Sequence, residues 1–170
     1  MHPVPFTAAY VFAAIFIFLV VWAMVSDASR LIIPNWVCVG LLATYFAHAL
    51  MVQGGATIVR HIVVASVVFG IGIALFLRNW FGGGDVKLLA AVGLWAGPGQ
   101  ILPLLLIMSV TGVALALVVL YLRFSFGAIR VDARQRSATR LLSGWVGGQV
   151  CPYGIAIGLA ALLTVPVRFF

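Results

Sequence analysis

Apolar residues run continuously, without alternation, over 8–26, 36–52, 61–79, 86–97, 101–122 and 153–168. About 20 such residues carry a helix across the hydrocarbon core of a bilayer, whereas a membrane barrel needs alternating segments of about 10 residues. The pattern predicts an all-α polytopic membrane protein, a bundle of about six transmembrane helices. Turn signals separate the runs: Ser26 to Asn35, Gln53-Gly54-Gly55, Phe81-Gly82-Gly83-Gly84, Gly97-Pro98-Gly99, and a polar stretch from about 123 to 150. The fourth run is short, so Asn79 to Gly84 is expected to lie partly inside the membrane, with Asp85 about a turn below the interface marked by Trp80. A re-entrant hairpin is the alternative, tolerated where protein covers the irregular backbone. The first run lacks a basic flank and is longer than the 7–15 residues of a signal-peptide core, so it reads as an uncleaved span.

Composition removes the soluble classes. Hydrophobic residues make up 65% of the 170 residues and charged ones 8%, against roughly 45–50% and about 25% in soluble domains. The whole chain, 1–170, reads as one integral membrane domain. Ten Lys and Arg against three acidic residues give a net charge of +7. In a soluble protein that excess would suggest nucleic acid, but no cationic stripe interleaved with exposed aromatics accompanies it here. Membrane topology explains it instead. With the N-terminus outside, Arg30, Arg78, Lys87, Arg123, Arg130, Arg134, Arg136 and Arg140 fall on the cytoplasmic side, and only Arg60 and Arg168 fall outside. That is a positive-inside pattern for a multi-pass protein of the cytoplasmic (inner) membrane, with Asp27 and Asp85 on its cytoplasmic side. Cys38 and Cys151 form no CxxC pair and have no metal-site spacing, so they read as buried thiols.

An ionisable side chain in or beside a span is costly and therefore a candidate for function. Asp132 lies among Arg130, Arg134 and Arg136, where it is a solvated counter-charge. Asp27 instead closes the first span, and Asp85 opens the fourth behind Gly82-Gly83-Gly84. Packed together in a small bundle, two carboxylates cannot easily both ionise, so they hold one proton between them. The ionised partner can then take a proton from water while the other polarises a carbonyl. The plainer alternative is that Asp27 caps a helix end or pairs with Arg30, and that Asp85 caps the fourth helix. The glycines favour chemistry, because a backbone without Cβ atoms lets an extended peptide approach its N–H groups.

These residues carry a resemblance. The segment Ser26-Asp27-Ala28-Ser29-Arg30-Leu31-Ile32-Ile33-Pro34-Asn35 resembles the Asp-to-Ile-Pro-Asn segment of the type IV prepilin peptidase family. Gly82-Gly83-Gly84-Asp85-Val86-Lys87-Leu88 is similar to its GxGD-type motif, and Cys151-Pro152-Tyr153-Gly154 to the start of its last helix. The resemblance implies a six-span membrane aspartic endopeptidase with Asp27 and Asp85 as the catalytic pair. It would remove the short basic leader of pilin precursors at the cytoplasmic face. No large insertion separates the first two spans and no four-cysteine zinc cluster is present, so the chain is closer to the compact enzymes of tight-adherence (Flp) pilus systems. That departure leaves peptidase activity alone as the expectation, without N-methylation and with no metal or cofactor.

Supporting roles are expected nearby. Gly82, Gly83 and Gly84 would bind substrate, and Lys87 would steer it or hold one carboxylate ionised, unless it merely snorkels to the interface. Arg30 is a similar candidate beside Asp27, and Tyr153 is a possible donor near the site. Pro34-Asn35 ends the loop and starts the second helix, while His48 and His61 fall on the outer side in packing roles. The expected partners are a pilin precursor and the bilayer, with anionic lipid headgroups at Arg130 to Arg140. Two other classes compete: a presenilin-like intramembrane protease, disfavoured by the absence of a Pro-Ala-Leu segment, and a proton-coupled carrier, disfavoured by the absence of inverted repeats.

Overall fold

A computed structural model describes residues 6–52, 55–126 and 152–165. Every element in them is a helix: α1 (Phe6–Arg30), α2 (Asn35–Val52), α3 (Gly55–Leu77), α4 (Gly83–Phe126) and α5 (Tyr153–Thr164). Helices α1, α3 and α4 are long and apolar enough to cross a membrane, and α2 and α5 are shorter apolar helices. This is an all-α membrane protein. Its outer faces carry large apolar side chains, including Phe18, Leu50, Val110 and Phe124, which water would not tolerate in such number and a bilayer requires.

The fourth and fifth apolar runs share one element, α4, which Gly97 breaks with non-helical angles of φ 60° and ψ −171°. Only glycine adopts that region readily. The chain turns sharply there: a Cβ at Gly93 would lie 3.6 Å from Ile101 Cδ1, although eight residues along a straight helix span about 12 Å. The turn expected over Gly97-Pro98-Gly99 is thus a single residue. Pro98 and Gly99 are already helical, because proline's fixed φ suits the first turn of a helix. The first arm of α4, 83–96, is roughly 20 Å long, short of the ~30 Å hydrocarbon core.

His61 of α3 secures this bend. The Leu94 carbonyl would ordinarily accept from the N–H four residues on, but that residue is Pro98, which has none. His61 Nδ1 lies 2.8 Å from the orphaned oxygen and supplies the missing donor. Its ring stacks on Tyr45 at 5.7 Å, and Trp95 joins Tyr45, His48 and Phe16 in the same aromatic cluster. The packing roles expected of His48 and His61 are therefore what the fold gives them.

Helix α4 packs against α3, α5 and α2, and α1 packs against α5 and α2. Phe16, Leu41, Leu88, Leu104 and Ile157 fill the core between them. Helix α1 ends at Leu31, whose φ of 53° turns the chain away, and Pro34-Asn35 starts α2 as the sequence suggests. Helix α3 begins at Gly55, six positions before the apolar run that marks it, and so takes in the exposed Arg60. Asn79, with φ 57°, and a Trp80 N–H bond to the Leu75 carbonyl (3.0 Å) close α3.

Candidate active site

Asp27 lies in the last turns of α1 and Asp85 in the first turn of α4, and both are buried, at 5% and 9% exposure. The bundle brings these distant acids to one end. Both line a cavity of about 500 Å³ walled by the Leu31–Asn35 connection and by Gly82, Gly83 and Gly84.

A backbone N–H holds the Asp27 carboxylate. Helix α5 begins after Pro152, which offers no side-chain cap; the Ile155 N–H bonds to the Pro152 carbonyl at 3.2 Å, and the Gly154 N–H finds its partner outside the helix. Asp27 supplies a partner from another helix: its Oδ2 accepts the Gly154 N–H at 2.8 Å. The positive end of a helix favours an anion in this position. The Asp85 carboxylate packs closely against the Gly82 backbone.

Both contacts leave little room for a side chain. A Cβ at Gly82 would lie 2.7 Å from Asp85 Oδ2, and one at Gly154 would lie 2.7 Å from Asp27 Oδ2 and 3.0 Å from its Cβ. The glycine triplet differs from the sequence reading in one respect. Only Gly82 remains outside the helix, since Gly83 and Gly84 form the start of α4, which lets Asp85 sit in its first turn. Gly83 and Gly84 approach Phe76 and Ile33 respectively, with only 3.3 Å left for a Cβ at either.

The supporting residues divide. Lys87 lines the cavity, but its Nζ donates to Asn35 Oδ1 at 3.0 Å, tying α4 to the start of α2. Arg30 closes α1 and is exposed. Tyr153 packs on Phe81, ring centroids 5.8 Å apart. Cys38 is buried, as expected of it. Cys151, Asp132 and the basic residues Arg130 to Arg140 lie outside the described residues. Two participants went unassigned in the sequence: the α5 N-terminus that holds Asp27, and Asn35 as the partner of Lys87. A proline ahead of an uncapped helix was the available signal for the first.

Two buried carboxylates lining one cavity at one end of a helical membrane bundle mark that cavity as the candidate site of function. The model of the type IV leader peptidase family matches residues 14–117, more than half of the chain and a stretch holding both Asp27 and Asp85, so the chain belongs to that family and is a peptidase. No curated protein and no solved structure matches it.

Proposed function

We propose that this peptidase removes the leader peptide of type IV pilin-like precursors at the cytoplasmic face of the inner membrane, using Asp27 and Asp85 to activate water. The observation that carries the reading is the burial of both carboxylates against one cavity, within the stretch matched by the family. The basic residues flanking that end of the bundle support its cytoplasmic orientation.

The precursor's apolar helix stays in the bilayer while its leader remains in the cytoplasm. The segment joining them lies extended along Gly82 to Gly84, which present no side chains. One carboxylate, ionised, takes a proton from water as the water oxygen adds to the scissile carbonyl carbon. The other, protonated, donates to the carbonyl oxygen, giving a tetrahedral diol. Proton transfer to the amide nitrogen then breaks the C–N bond. The leader departs with a new carboxylate and the mature protein with a new amine. Two carboxylates and one water complete this sequence, and peptide hydrolysis is its sole outcome, with no methyl transfer.

The test is co-expression with a pilin-like precursor. Wild type should shorten the precursor by its leader, read by mass, while Asp27→Asn and Asp85→Asn should leave it full length. Equal processing by wild type and either variant overturns the proposal.

A further inference from the structure

A second cavity, of about 510 Å³, adjoins the first. Its walls come from α2, through Val39 and Phe46, and from α3, through Ile62 and Phe69; its floor is Ala90 and Ala91 of α4. Consecutive helices joined by a short link ordinarily pack as a hairpin. Here α2 packs instead on α1 and α4, and α3 on α4, so the two splay and leave an apolar cleft between them. Asn35 and Lys87 line both this cleft and the Asp27–Asp85 cavity, and their mutual hydrogen bond stands where the two meet.

We propose that this cleft seats the first two turns of the substrate's transmembrane helix, with the Asn35–Lys87 pair marking where that helix gives way to the extended segment entering the dyad cavity. The inference deepens the leader-peptidase reading and rests on it. Three observations select the occupant. The floor from Lys87 to Leu94 runs about 10 Å, two turns of helix. Helix association in lipid depends on close packing at small residues rather than on the hydrophobic effect, and Ala65, Ser66, Ala90 and Ala91 supply such positions. The cleft also leads into the dyad cavity at its polar end, where an incoming chain must leave the bilayer's apolar interior. A lipid tail would gain nothing from that continuity.

Photo-crosslinking in membranes tests this, using the full chain with Asp85→Asn to retain the substrate. The probe is a precursor with a short basic leader and an apolar helix of about 20 residues. A photoreactive residue replacing Val39 or Phe69 should capture the precursor's helix. One replacing Val113, exposed on the arm of α4 beyond Gly97, should not. Capture of lipid alone, of a second copy alone, or equally from Val113 overturns the proposal. A kinetic arm uses Ala90→Phe in the otherwise wild-type enzyme. It should reduce cutting of the membrane precursor at least ~10-fold more than cutting of a soluble peptide ending just past the scissile bond, whereas Val113→Phe leaves that ratio unchanged. An unaltered ratio in Ala90→Phe counts against the cleft. Crosslinking at Val39 with an enzyme that cuts neither substrate would defeat the peptidase reading and leave the docking site standing. Cutting of both without crosslinking would defeat the docking site alone.

Discussion

Gly82 and Gly154 touch the two carboxylates in different ways. At Gly82 an added Cβ meets only the outer oxygen of Asp85, which can swing aside, whereas at Gly154 it meets Asp27 as far back as Cβ. Gly82→Ala should therefore change folded stability by less than about 1 kcal/mol yet reduce cleavage by roughly 10–100-fold, as expected for a misplaced reacting group. Gly154→Ala should also destabilise the fold, by about 1–3 kcal/mol, because overpacking has no easy outlet there. Thermal unfolding in detergent alongside a cleavage assay separates the two. At this scale the acids themselves were legible, because Asp27, Asp85 and Asp132 are the only acidic residues and the first two sit at span ends. Their partners were not: the Gly154 N–H that holds Asp27 lies 127 residues away along the chain. Its role depends on how α5 docks, which no local pattern records.

Among the elements, α4 shows what an apolar run does and does not disclose. Two runs separated by Gly97-Pro98-Gly99 correctly predicted two helical arms, but not a break confined to one residue. The break works because His61 replaces the donor that Pro98 lacks and because Gly97 lies directly against the His61 ring. Gly97→Ala should cost about 1–3 kcal/mol from backbone strain alone, and more because the new methyl collides with the imidazole. His61→Phe keeps the ring but abandons the Leu94 carbonyl, with an expected cost of about 1–3 kcal/mol. Both are measurable by chemical unfolding in micelles. If either variant matches wild type, the bend does not depend on this contact. Helix starts were less legible than runs: α3 begins at Gly55 because its first turns tolerate exposed polar residues such as Arg60, which a hydropathy pattern leaves out.

For the whole molecule, the bias of basic charge supports the proposed orientation, with the Asp27–Asp85 end toward the cytoplasm. Ser29→Cys and Trp80→Cys, both exposed near that end, should react with a membrane-impermeant thiol reagent only after the cells are opened. Arg60→Cys, at the start of α3, should react in intact cells. The reverse pattern would invert the proposed orientation. The central claim is that two acids from separate helices act as one unit on one water, and a double-mutant cycle on kcat/KM with purified protein and precursor tests it most directly. Asp27→Asn and Asp85→Asn should each lower kcat/KM about a thousandfold or more, and the double variant should be scarcely slower than either single one, as for residues that work together. Retention of activity within about tenfold of wild type in either single variant, or losses that simply multiply in the double, would contradict it.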